Sequence, residues 1–300
     1  MKTLPYGRAI CYSGYRENQS PVTRVYPTYE EVLEDLKILE PDFDYIRMYD
    51  PSEHAKTVVE AIRKEGIDLK VMLGIDLLGE ESNPNCSWGG EYTALEVANN
   101  IAHNEKQLVD LITLANNYKD VIISVAAGNE AVPEWNENLV RPNRVLYFVN
   151  QLKKNTTQLV TYCENNNYWN DQLVDVAEAV DFISVHTYPI WVNVPVEGSF
   201  DVSVNDYYKV ANNYPNKQVI ITEAGWPTSS NGRGFTKEFA AEEFQTSYYE
   251  MMKKWSIENQ VTLFFFEAFD EPWKGSEDAM EPEKHWGFYF VDRTPKELKK

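Results

Sequence analysis

Two glutamates close two apolar runs. The first run is Val121-Ile122-Ile123-Ser124-Val125-Ala126-Ala127-Gly128-Asn129-Glu130; the second is Gln218-Val219-Ile220-Ile221-Thr222-Glu223-Ala224-Gly225-Trp226-Pro227. Each reads as a strand buried on both faces, with its glutamate where the strand meets a loop. A carboxyl there desolvates easily and can face a partner across a cleft. Two facing carboxyls are what cleavage of a glycosidic bond requires. One protonates the leaving oxygen; the other attacks the anomeric carbon or activates water. In the retaining version they stand about 5 Å apart. Asn129, beside Glu130, can hydrogen-bond a sugar 2-OH, a contact that strengthens in the transition state. Taken singly, each glutamate also reads as a helix cap or the partner of an arginine. Their placement at the fourth and seventh strands of an eight-strand pattern argues against that.

The elements that must position them alternate along the chain. Strands are expected at 9–12, 45–49, 69–75, 121–126, 159–163, 182–186, 219–222 and 261–266, short and continuous in hydrophobicity. Helices are expected between them. Tyr29–Leu39 has Thr28 as N-cap and Pro41 as a stop, Pro51–Glu65 ends before Gly66, and Pro142–Asn155 opens on proline. Ala98–Asn117, Gln172–Ala179, Ser203–Asn212 and Thr236–Ser256 complete the set. Eight strands, each followed by a helix or connector, imply one α/β domain: a (β/α)8 TIM barrel over residues 1–300. The segments without clear pattern (78–93, 131–141, 189–200 and 267–288) each follow a strand. They therefore belong at the C-terminal mouth, where such barrels build their sites.

Composition narrows the partners. Lys+Arg is 28 against Asp+Glu 47, a net charge of −19. That opposes nucleic acid and anionic membranes, which need positive patches, and it disfavours a polyanionic substrate. No run approaches the roughly 18 apolar residues of a membrane span, so no membrane insertion is expected. Cys11, Cys86 and Cys163 have no disulfide or zinc spacing, and His54, His103, His186 and His285 are scattered. No metal or cofactor is implied. Cys11, Cys163 and His186 read as core residues.

The ordered motifs resemble glycoside hydrolase family 17, the β-1,3-glucanase family of the retaining barrel clan. The resemblance rests on Ala127-Gly128-Asn129-Glu130-Ala131 and Thr222-Glu223-Ala224-Gly225-Trp226-Pro227-Thr228. It extends to Cys11-Tyr12-Ser13, Ile46-Arg47-Met48-Tyr49, the segment Phe266-Glu267-Ala268-Phe269-Asp270-Glu271-Pro272-Trp273-Lys274, and His285-Trp286-Gly287-Phe288. It covers nearly the whole chain, and the last segments look microbial. It implies Glu130 as acid/base, Glu223 as nucleophile, and β-1,3-glucan (laminarin) as substrate. Endo cleavage is expected from long loops bearing tryptophans. A transglycosylase using the same carboxylates, or an exo-acting enzyme with a closed pocket, is the alternative. A non-catalytic glucan binder and a β-1,4-glucan or mannan enzyme of the same clan are the further rivals.

Supporting residues are expected as follows. By the resemblance, Glu267 lies at the substrate site, where it would bind hydroxyls or raise the acid's pKa. Otherwise it pairs with Lys274 or Arg47. Lys274 binds a hydroxyl or Glu267. Tyr188 donates to Glu223 or is a rim aromatic. Tyr12 and Tyr49 reach the −1 and −2 sugars or pack in the core, and Arg47 orients a carboxylate. Sugar faces stack on aromatic rings. Trp135, Trp191, Trp273 and Trp286 are therefore subsite candidates, Trp226 is a wall of the site or a packing residue, and Trp88 is a rim residue. Asn165-Asn166-Asn167 is a polar cluster or a turn. A polysaccharide does not cross membranes, so the protein is expected to work outside the cytoplasm, at the cell surface or in a periplasm; a monomer is expected. The start Met1-Lys2-Thr3-Leu4-Pro5-Tyr6 carries no apolar signal core.

Overall fold

The computed structural model describes residues 3–299. Eight parallel strands close a barrel in chain order. They are β1 (Arg8–Cys11), β2 (Tyr45–Met48), β3 (Lys70–Gly74), β4 (Ile122–Asn129), β5 (Leu159–Asn165), β6 (Ile183–Thr187), β7 (Val219–Gly225) and β8 (Leu263–Phe266). Closure is made by β1 against β8, with Ala9 beside Phe264. The fold class expected from the sequence is the one observed.

Among the described residues seven α-helices surround the barrel: α1 (Tyr29–Leu39), α2 (Glu53–Glu65), α3 (Ala94–Asn117), α4 (Pro142–Asn155), α5 (Val174–Ala179), α6 (Val196–Ala211) and α7 (Glu242–Asn259). Local chemistry fixes their ends. Thr28 and Thr93 each form a capping box with the glutamate three residues on. Ser52 caps α2, which ends on left-handed Gly66. After β8 the chain makes short 3-10 turns at Pro282–Lys284 and Glu297–Lys299 and no α-helix among the described residues.

Two helices differ most from expectation, and α3 starts at Ala94 rather than Ala98. The stretch 189–200 reads as a loop, but Pro189–Val192 is a 3-10 turn and α6 starts at Val196. Pro195 at the N-cap supplies a compatible φ, and Gly198 in the first turn hides the helical pattern. In the second case α7 begins at Glu242 rather than Thr236, because Ala240 and Ala241 are extended. Strands β4, β5 and β7 run two or three residues past their expected ends, carrying Asn129 and Glu223 on strand backbone. Pairing register shifts near those ends, between Ala126 and Asn129 on β4 and between Val185 and His186 on β6. Such irregularities re-aim side chains, commonly beside sites.

The mouth loops are stitched to one another. Asn83 in the β3–α3 loop donates to the carbonyls of Glu134 and Asn136 in the β4–α4 loop. Glu80 accepts from Arg144 of α4. The cysteines are free and buried. No helix among the described residues is long and apolar enough to cross a membrane.

Candidate active site

Strand parity explains which side chains converge. Residues two apart share a face, so Arg47 and Tyr49 at the end of β2, and His186 and Tyr188 at the end of β6, turn inward together. Arg47 crosses the barrel: one guanidinium nitrogen reaches Glu223 Oε1 at 2.5 Å, and the other reaches Asn129 Oδ1 at 2.5 Å. It thereby links β2, β4 and β7.

Glu223 is enclosed by donors. Tyr49 donates to Oε1 at 2.9 Å and Tyr188 to Oε2 at 2.6 Å. His186 Nδ1 lies 3.6 Å from Oε2. Burial alone would raise this carboxyl. The charges of His186 and Arg47 and the Tyr188 hydrogen bond outweigh it and hold Glu223 down at about 2. It is a carboxylate at any working pH, as a nucleophile must be.

Glu130 is built differently. Its φ is +44°, a left-handed conformation that costs a residue with a Cβ about 1–2 kcal/mol. Gly128, at φ +134°, gives the turn its entry, since a Cβ there would meet Leu77 Cδ1 at 2.8 Å. The corner is pinned through its backbone: Glu130 N–H donates to the Cys163 carbonyl at 2.9 Å, and Asn136 Nδ2 donates to the Glu130 carbonyl. The side chain, 19% exposed against 6% for Glu223, faces the cleft and meets His186 Nδ1 at 2.9 Å through Oε1.

His186 therefore stands between the two carboxyls. Burial disfavours its charge, but Glu223, a hydrogen bond with Cys163, and Glu130 push it up to about 10. The Glu130 and Glu223 oxygens facing it lie 2.9 and 3.6 Å from one nitrogen, so they are no farther apart than those two lengths end to end. That upper bound falls at the lower edge of the roughly 6.5–9.5 Å inverting range and admits the shorter retaining spacing. His186 is fully buried, as the sequence reading had it, but that reading missed its place between the two carboxyls. The parity of His186 with Tyr188 was the available signal.

The carboxyls open into a cleft of about 1290 Å³. That exceeds the few hundred to about 1,000 Å³ of a small-molecule pocket and suits a segment of polymer. Trp88, Trp135, Trp191, Trp273, Trp286, Lys274, Asn129 and Asn165-Asn166-Asn167 line it. Trp88 and Trp135 are the exposed ones, at 64% and 43%. Trp191 packs on Phe235 and Trp286, and Trp273 sits edge-on to Tyr15.

Three expectations are corrected. Tyr12 contributes to the lining, but its hydroxyl turns outward and donates to Asp35 of α1 at 3.1 Å, away from any sugar. It has the opposite parity to inward-facing Cys11. Trp226 shares the outward parity of Ala224. It packs on Tyr248 of α7 and donates to the Phe239 carbonyl, so it is core and not a wall of the site. Glu267 is buried behind Lys274, whose ammonium binds both its oxygens at 3.0–3.1 Å and Glu271 at 2.5 Å. The ion-pair alternative describes Glu267; Lys274 itself reaches the cleft. Among the described residues no cluster of His, Cys, Asp and Glu is arranged to hold a metal.

The BtgE/BtgC glycoside hydrolase domain family matches residues 9–287. The chain belongs to this family. A protein of Arthroderma benhamiae named glucan 1,3-beta-glucosidase is 28% identical over 199 residues, 59% of this chain and 61% of that protein. A putative glucan endo-1,3-beta-glucosidase of Aspergillus niger is 26% identical over 93% of this chain but 41% of its own length. The chain thus spans about two-fifths to three-fifths of these relatives. Among solved structures, an endo-laminarinase from Formosa Hel1_33_131 is 26% identical with a TM-score of 0.82, covering 97% of this chain and 85% of that one. A Rhizomucor miehei β-1,3-glucanosyltransferase, at 20% identity and a TM-score of 0.76, shares the fold over 97% of this chain and 96% of its own.

Proposed function

We propose that this protein is a retaining hydrolase of β-1,3-glucan of glycoside hydrolase family 17, cleaving laminarin-type chains internally. Glu130 protonates the leaving oxygen while the Glu223 carboxylate attacks the anomeric carbon, giving a glycosyl-enzyme. Glu130, now ionised, takes a proton from water as that water attacks, releasing product with its configuration retained. Arg47, Tyr49 and Tyr188 orient Glu223, and Asn129, fixed by Arg47, accepts or donates at the 2-OH. The pair of carboxyls meeting at His186 Nδ1 carries this reading, and the family and the relatives' names support β-1,3-glucan. The open cleft with exposed Trp88 and Trp135 supports internal cleavage. We place its work outside the cytoplasm, because a polymer cannot reach an internal enzyme, and propose that it acts as a monomer.

Product analysis on linear β-1,3-glucan, with β-1,4-glucan and mannan alongside, tests it. Short oligosaccharides of mixed length from the β-1,3 polymer alone are the expected result. Glucose released one unit at a time would replace endo by exo action. Products longer than a defined oligosaccharide input would replace hydrolysis by transfer. Binding without any product would overturn the enzymatic reading.

A further inference from the structure

Beside the Glu130 corner lies a third carboxyl that the two-glutamate mechanism does not use. Glu164, next to last in β5, is completely buried. Its Oε2 accepts from the Tyr162 hydroxyl at 2.7 Å and from Val132 N–H at 3.4 Å, and its Oε1 accepts from Asn165 N–H at 2.8 Å. The Tyr162 hydroxyl in turn accepts from Ala131 N–H at 2.9 Å. The two amides that follow Glu130 are thus tied to β5 by one phenol and one carboxyl. They are the donors that a left-handed residue leaves pointing into the barrel wall. An unpaired buried N–H is costly, so the corner keeps its shape only while these acceptors are present.

We propose that Glu164, acting with Tyr162, is the positioning unit of the general acid: it holds the left-handed corner that aims the Glu130 carboxyl into the cleft. The inference rests on the proposed role of Glu130. Strand parity gives it a mechanism, because Tyr162 and Glu164 are two apart and face the same side as the corner they hold. Neither residue lines the cleft; besides the Glu130 corner, Glu164 holds the N–H of Asn165, which does, and the comparison of leaving groups separates the two routes.

Charge adds a second consequence. The groups facing Glu164 are Glu130 at the end of β4, Tyr162 on its own strand, His186 on β6, and Tyr168 in the following turn. Burial first, and the Glu130 charge second, push Glu164 up to about 8. Glu164 is therefore mostly neutral at neutral pH. Glu164→Gln thus removes no charge at neutral pH, and its effect reads the hydrogen bonds it loses.

The test compares the wild type with Glu164→Gln, Tyr162→Phe and Glu130→Gln. Each is assayed on laminarin and on a dinitrophenyl β-laminaribioside, whose leaving group needs no protonation. Folding is checked by thermal unfolding. For Glu164→Gln and Tyr162→Phe, kcat/KM on laminarin falls by about 10²-fold, the size of a lost general acid, with less than about 5-fold loss on the activated glycoside. Equal losses on both substrates, or wild-type activity in both variants, overturn the proposal. If Glu130→Gln itself fails to split the substrates, the acid assignment has failed instead, and the brace with it. Tyr162→Phe, which keeps every charge and nearly all the packing, guards against a folding defect in Glu164→Gln.

Discussion

The two halves of the site are held by different forces. At the β7 corner, Glu223 sits on strand backbone beside a register shift and is fixed by side chains: an arginine, two phenols and an imidazole all point at its carboxylate. At the β4 corner, Glu130 is fixed by its backbone, through a left-handed φ and amides tied to β5, and its carboxyl has a single contact, His186. A nucleophile must stay ionised and still, which surrounding donors achieve. An acid/base must exchange its proton with substrate and water, so its carboxyl has to stay open while its position is fixed from behind. The contrast is what a division of labour between two carboxyls requires.

Removing the nucleophile gives the largest expected effect. Glu223→Ala lowers kcat on laminarin by at least about 10³-fold, more than 4 kcal/mol of barrier, with unchanged far-UV circular dichroism. Wild-type turnover would reassign the role. Glu130→Gln comes next. Its loss is large on laminarin and small in kcat/KM on an activated aryl glycoside, and a uniform loss would contradict the contrast between the corners.

Tyr188→Phe tests how the donors set the charge of Glu223. It removes a bond that lowers this carboxyl, so the acid limb of kcat/KM moves to higher pH, with about a tenfold loss at neutral pH. The sign follows from linkage. A carboxyl depressed from about 4.3 unfolded to about 2 folded stabilises the protein above pH ~4.3, and that contribution fades as pH falls toward 2. Tyr188→Phe narrows the window from below, so its midpoint of acid unfolding rises. An unshifted acid limb would show that Arg47 and His186 suffice. The smallest effect is expected from Trp135→Ala. The ring is exposed at the cleft wall and touches neither carboxyl, so KM on laminarin rises a few-fold, about 1 kcal/mol of stacking, with kcat unchanged. A fall in kcat alone would place it nearer the chemistry.

The barrel and both glutamates were legible because their signals are local. Apolar runs of strand length repeat along the chain, and signals such as the Thr28 cap and the Gly66 stop mark helix ends. Glu130 and Glu223 stand at the ends of two such runs. The orientation of neighbouring side chains was legible only through parity. Parity assigns His186 and Tyr188 to the interior and Trp226 to the α7 side, but a bulge or a strand extended by two residues is invisible in composition. Glu267 could not be resolved from its segment, because whether it faces substrate or Lys274 depends on how the chain turns after β8. The brace at Glu164 lay outside sequence reasoning altogether, since its partners Ala131 and Val132 are backbone donors in the loop after β4.

Mechanism-based labelling tests the central claim most directly. A 2-deoxy-2-fluoro-laminaribioside with an activated leaving group forms the glycosyl-enzyme quickly and releases it slowly. Peptide mass analysis then locates the bond. The account predicts one fluoroglycosyl group on Glu223, formed also by Glu130→Gln and absent from Glu223→Ala. A label on any other residue, or first-formed laminarin products of inverted configuration, would contradict it.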